Sequence, residues 1–128
     1  MKKVILCIIS ICLAFALCSC GRVSAGGSEP VELKFHYDGA SVDAVLSEQD
    51  SEVIRNMFDG KELYFDDPSC GFNENVSLRV DGKVFCPACD KCAVVKDCGS
   101  GQYFELSESE RRELVKIFSQ HGGSFPCV

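Results

Sequence analysis

Apolar and polar residues alternate over residues 31–37: Val31, Leu33, Phe35 and Tyr37 share one side, and Glu32, Lys34 and His36 the other. A period of two predicts a half-buried strand, which Asp38-Gly39 ends. The next stretch is ambiguous, with Val42, Val45 and Leu46 its only apolar anchors. The period then changes. Ser47 suits a helix N-cap, and Val53, Ile54, Met57 and Phe58 form one stripe, so a helix is predicted over 48–59 with Gly60 as its left-handed stop. Residues 62–65 read as a short second strand, stopped by Asp66-Asp67-Pro68. Val76, Leu78 and Val80 alternate with Ser77 and Arg79, Asp81-Gly82 fits a two-residue hairpin turn, and 84–86 starts the return strand. Residues 91–95 suggest an edge strand and 103–106 a last strand. Ser107 and Glu110 form a capping box, Glu108 precedes Arg112 by one turn, and Leu114, Val115, Ile117 and Phe118 supply the apolar side of a helix over 108–120.

These elements predict an α+β fold. A small, mainly antiparallel sheet of about four or five strands would carry two helices on one face, since that packing buries both helical stripes. The pairs Asp38-Gly39, Asp59-Gly60 and Asp81-Gly82 are turn and cap chemistry.

The N-terminus has another character. Lys2 and Lys3 precede a nearly all-apolar run from Val4 to Leu17, the length of a signal-peptide core and short for a membrane span. Leu17-Cys18-Ser19-Cys20 follows and resembles the lipobox of bacterial lipoproteins. The resemblance implies cleavage before Cys20, a lipid on its sulfur, and a protein held by that lipid on the exported side of a bacterial cell membrane. Plain secretion, with cleavage near Ser24-Ala25, is the alternative. The expected organisation is thus a lipoprotein signal peptide over 1–19, the lipidated Cys20 with a flexible Gly- and Ser-containing tether over 20–30, and a single domain over 31–128. The chain has 13 basic and 19 acidic side chains, a net charge of −6. Cleavage would remove Lys2 and Lys3 and make the balance more acidic still. Such a surface argues against a nucleic-acid partner.

Ten cysteines are present; Cys7, Cys12 and Cys18 belong to the leader. The remaining disulfide candidates are Cys70, Cys86, Cys89, Cys92, Cys98 and Cys127. An even number in a small exported domain reads first as three disulfides, each contributing about 2–4 kcal/mol. Sequence selects no pairing among them; Cys127, one residue from the end, would staple the tail. Two alternatives use sulfur differently. Cys86-Pro87-Ala88-Cys89 resembles the Cys-x-x-Cys site of thioredoxin-like enzymes, which implies an envelope thiol–disulfide protein using Cys86 and Cys89. No apolar-striped helix follows it, a departure from that family. A structural zinc held by Cys86, Cys89, Cys92 and Cys98 is the other. The three-residue spacing of Cys86, Cys89 and Cys92 also resembles part of a bacterial ferredoxin motif, but Cys98 lies too far on and Gly99 follows it.

No glycine-rich phosphate loop or His-Glu-x-x-His is present, and neither His36 nor His121 has an obvious serine or cysteine partner. The tail and the cysteine-rich turn resemble small exported proteins of gut bacteria, a likeness that implies no function. The lead expectation is therefore a cell-envelope lipoprotein, a non-catalytic module that binds an envelope or extracellular protein or a surface component. An apolar patch near 66–75 or 87–101 would support it.

Overall fold

The computed structural model describes residues 21–128. The leader, the lipobox-like segment and the lipidation expected at Cys20 lie outside the described residues. Six strands, β1 (Glu32–Tyr37), β2 (Ala40–Val45), β3 (Val76–Val80), β4 (Lys83–Pro87), β5 (Val94–Asp97) and β6 (Gln102–Glu105), form one sheet in the order β2-β1-β3-β4-β5-β6. Every neighbouring pair is antiparallel. Among the described residues two helices complete the fold, α1 (Glu48–Phe58) and α2 (Glu108–Gln120).

The registers put Leu33, Phe35, Leu78, Phe85, Val95 and Phe104 on one face, all buried. Both helices pack there. The Phe58 ring of α1 lies 5.4 Å from Phe85 and 5.0 Å from Phe104, and the Phe118 ring of α2 lies 6.3 Å from Phe35. Edge-on aromatic contacts of this kind add to the burial that drives the docking. Both helices start as the sequence predicts: the Asp50 N–H donates to Ser47 Oγ, and Ser107 and Glu110 close a reciprocal capping box.

The sheet has more strands than the sequence pattern indicated. The ambiguous stretch after residue 39 is β2, an outer strand that pairs only with β1 and alternates half-buried with exposed positions. Its inward side, Ala40, Val42 and Ala44, is small and so gives a weak signal, because an outer strand needs little apolar surface. Residues 62–65 are not a strand but two isolated bridges, Glu62 to Arg22 and Tyr64 to Tyr103. The latter covers the free edge of β6. The strand expected at 91–95 forms at Val94–Asp97 and is internal, between β4 and β6.

The segment expected to be a flexible tether is partly built into the domain. Val23 and Ala25 are buried in the core. The Val23 N–H donates to the Lys61 carbonyl at 2.9 Å, the Gly60 N–H to the Val23 carbonyl at 2.9 Å, and the Ala25 N–H to Asp59 Oδ1 at 2.9 Å. Residues 26–30 are exposed. No helix among the described residues is long and apolar enough to cross a membrane.

Candidate functional site

The six domain cysteines gather where β4 leaves the sheet. Two disulfides are present, Cys70–Cys92 and Cys89–Cys127. They join three segments: the loop before β3, the loop after β4 and the C-terminal tail. Backbone bonds reinforce the junction. The Cys89 N–H donates to the Gly71 carbonyl at 2.8 Å, and the Cys127 N–H to the Cys89 carbonyl at 2.9 Å. Asp90 accepts from the Gly71 N–H at 2.7 Å and the Cys92 N–H at 2.9 Å. Burial opposes ionisation of this carboxyl, but those two amides and the nearby Arg111 outweigh it and hold Asp90 below the usual carboxylate range. Arg111 of α2 donates to the Asp90 carbonyl at 2.7 Å, which ties the loop to the helix.

The remaining pair, Cys86 of β4 and Cys98 just beyond β5, is unbonded, with its sulfurs 2.9 Å apart. That is inside the contact distance of two non-bonded sulfurs, so the pair is placed to close as the third of the three disulfides expected from the sequence. The register explains the meeting. Phe85 pairs with Asp97 and Cys86 with Lys96, and the Cys98 N–H donates to the Val84 carbonyl at 3.0 Å. Cys86 and Cys98 therefore point diagonally across two strands on the same face, the one away from the helices. Their surroundings differ. Cys86 is only 2 % exposed, whereas Cys98 is open to solvent. Burial, followed by the hydrogen bond to Cys98, pushes the Cys86 thiol up to about 12.

The two sulfur arrangements expected from the sequence are not the ones assembled. Cys86 and Cys89 are not a couple, because Cys89 faces the core and bonds Cys127. Adjacent turns of the motif leave the strand in different directions, and only the strand register, invisible in the spacing, brings Cys98 to Cys86. The zinc quartet of Cys86, Cys89, Cys92 and Cys98 is likewise split, since the Cys89 and Cys92 sulfurs are committed to disulfides. A different trio, Cys70, Asp90 and Cys92, has ligand atoms within 4.8 Å of one another. Two of its sulfurs form a disulfide, so it could hold a metal only after reduction, with one donor fewer than a structural zinc site uses.

The open face also carries two features that the sequence pattern did not indicate. His36 has partners after all: its Nε2 lies 2.9 Å from Asp43 Oδ2 and its Nδ1 3.2 Å from Ser41 Oγ. Hairpin pairing of His36 with Ser41 produces this contact. Asp43 is 72 % exposed. A solvated carboxylate of this kind neither orients nor shields a catalytic imidazole, and the network is a surface one. The second feature is a groove of about 430 Å³ across β2, β1, β3 and the start of β4. Its walls include Lys34, Asp43, Glu74, Ser77, Arg79 and Val84.

No family model, no curated protein and no solved structure matches this chain.

Proposed function

We propose that this protein is an exported, disulfide-stapled thiol–disulfide exchange protein in which Cys98 is the attacking sulfur and Cys86 the resolving one. The observation that carries the proposal is the asymmetric cysteine pair: two sulfurs 2.9 Å apart, placed to close as a disulfide, one exposed and one buried. Exchange needs this division. The outer sulfur must reach a partner, and the inner one must meet only the outer one. In the oxidising direction the Cys98 thiolate attacks one sulfur of a partner disulfide and expels the other as a thiolate, which takes up a proton. Cys86 then gives up its proton, its sulfur attacks Cys98 Sγ, and the second partner sulfur leaves. The partner disulfide gains two electrons and two protons, and the protein dithiol becomes the Cys86–Cys98 disulfide. The two other disulfides hold the loops around this pair. An exported setting, expected from the leader, is one in which disulfides persist.

Protein binding without chemistry draws less support. Among the described residues the exposed large apolar side chains are Val45, Phe65 and Val128. Phe65, 79 % exposed, borders the loop 66–75 where a patch was expected, and the exposed Val128 lies against Gly71 of that same loop, so two separate side chains are what this reading has to rest on.

The test is exchange of the folded, reduced protein with an aromatic disulfide whose released thiol is coloured. Wild type should release two equivalents per chain, Cys86→Ser one, with a trapped mixed disulfide on Cys98, and Cys98→Ser none in the fast phase. Release that persists unchanged in Cys98→Ser, or no release from wild type, would overturn the proposal.

A further inference from the structure

The docked N-terminal segment leaves no slack between the fold and the residue expected to carry the lipid. The Gly21 carbonyl accepts the Leu63 N–H at 2.7 Å, Arg22 forms an antiparallel bridge with Glu62, and Val23 bonds to both Gly60 and Lys61. Cys20 is the next residue upstream of Gly21 in the sequence, and a trans peptide bond sets neighbouring Cα atoms only about 3.8 Å apart. The two chains of an antiparallel bridge run opposite ways. The chain entering Arg22 and the chain leaving Glu62 therefore lie at the same end of it. Phe65 stands at that end, three residues beyond Glu62 and so within about 11 Å of it.

Phe65 is 79 % exposed. Its neighbour is fixed: the Tyr64 N–H donates to the Tyr103 carbonyl at 2.9 Å, and the Tyr103 N–H to the Tyr64 carbonyl at 2.9 Å. The ring is thus presented outward from a rigid sheet edge. We infer that the membrane surface on which Cys20 is anchored is what covers Phe65, so that the domain lies against the lipid by this edge instead of standing off on a tether. The inference rests on the lipid anchor that the lipobox-like segment implies and is independent of the exchange reading. The anchor supplies what a lone aromatic side chain lacks. It makes the contact of Phe65 with lipid an intramolecular event, and no flexible linker dilutes it. Arg22, Glu62, Asp66 and Asp67 around the ring are exposed and have an acidic excess. The contact is therefore through the ring, at the headgroup level where aromatic side chains settle, and not through charge.

The chain has no tryptophan, so Phe65→Trp creates a single emitter. The full chain is expressed in a bacterium, the mass of the mature protein is taken, and the protein is reconstituted into phosphatidylcholine vesicles. Phe65→Trp should emit at shorter wavelength in the vesicles, be quenched by brominated phosphatidylcholine and be shielded from iodide. Val45→Trp, an exposed position on the outer strand at the opposite edge of the sheet, should show the reverse. A Gly- and Ser-rich spacer inserted between Cys20 and Gly21 should reduce the lipid quenching of Phe65→Trp. Iodide quenching of Phe65→Trp equal to that of Val45→Trp, in a protein whose mass includes the lipid, would overturn the inference. Lipid quenching that the spacer leaves unchanged would do the same. A mature mass without lipid on Cys20 would remove the anchor and the inference together, without touching the exchange reading.

Discussion

The Arg55 guanidinium of α1 donates to the Asp81 carboxylate in the turn between β3 and β4. Each residue has a second duty. Arg55 also donates to the carbonyls of Ala25 and Glu29, and Asp81 accepts the Gly27 N–H at 2.9 Å. One ion pair thus clamps the N-terminal segment between a helix and a hairpin turn. Arg55 is buried, so removing its partner leaves a charge with little water around it.

Arg55→Ala is therefore expected to cost about 2–3 kcal/mol and to release residues 21–29. Asp81→Asn keeps an oxygen that accepts from Arg55 but leaves the buried guanidinium without its counter-charge, so it should cost a comparable amount. The hydrogen bond from Arg55, with some opposition from burial, lowers the Asp81 pKa. Its stabilisation is then present above the unfolded carboxyl value of about 3.8 and is lost as pH falls through the depressed folded value. Hydrogen exchange at the Val23 and Ala25 amides checks this. Lower protection relative to the intrinsic exchange rate in Arg55→Ala and in acid supports the clamp; unchanged protection in Arg55→Ala would remove it.

The covalent staples should dominate the stability of the tail. Replacing Cys89 and Cys127 together by Ala removes a cross-link spanning 38 residues. The expected loss is about 3 kcal/mol, or roughly 10–20 °C in Tm for a domain of this size. Asn73→Ala removes the 3.2 Å bond from Asn73 Nδ2 to the Cys127 carbonyl and the 3.0 Å bond that Asn73 Oδ1 accepts from the Asn75 N–H, and should cost about 1–2 kcal/mol. Thermal unfolding monitored by circular dichroism distinguishes them. Equal effects would mean that the disulfide adds nothing beyond local hydrogen bonding.

The reduced Cys86–Cys98 pair should leave a pH signature that the oxidised pair lacks. The Cys86 thiol lies at about 12 in the fold against an ordinary 9.0. Above pH 9 the unfolded chain loses this proton while the folded chain keeps it. The stability of the reduced protein is therefore intact below about pH 9 and declines as pH rises toward about 12. The oxidised protein has no such proton. Calorimetry of both redox forms over the alkaline range isolates the effect, because lysines and tyrosines titrate in both. Parallel decline of the two forms would place the Cys86 thiol in an ordinary environment.

What the sequence revealed depended on how local the cause was. The capping box at Ser107 and Glu110, the stripes of both helices and the hairpin at Asp81-Gly82 rest on contacts a few residues apart, so their signals are contiguous. Strand β2 escaped because the side that alternates inward, Ala40, Val42 and Ala44, is small and gives a weak apolar signal, although Asp38-Gly39 is the same dipeptide as Asp81-Gly82. The Cys86–Cys98 meeting was illegible for another reason. It depends on the register of β4 against β5, which is set by Phe85 and Val95 reaching the core rather than by cysteine spacing. The burial of Val23 and Ala25 was hidden in a stretch whose glycines and serine read as linker, because the carbonyls and amides that dock it belong to residues 59–63.

The two Asp-Gly turns give the last prediction. Asp38 and Gly39 have φ of 50° and 82°, and Asp81 and Gly82 have 51° and 77°. Both pairs have positive φ at each central residue, the primed hairpin turn that matches the twist of the flanking strands. A Cβ at either glycine would meet nothing within 4 Å, so a substitution there tests backbone conformation alone. Gly39→Ala and Gly82→Ala are each expected to cost about 1–2 kcal/mol, the penalty of a left-handed alanine. Asn at the same positions should cost distinctly less, since its side chain tolerates that region. The Gly82 variant carries an additional consequence, because Asp81 must keep its angle to hold Arg55 and the Gly27 N–H. Gly82→Ala should therefore speed exchange of the Ala25 amide, whereas Gly39→Ala, on the outer hairpin, should not. Equal exchange at Ala25 in both variants would separate the turn from the clamp.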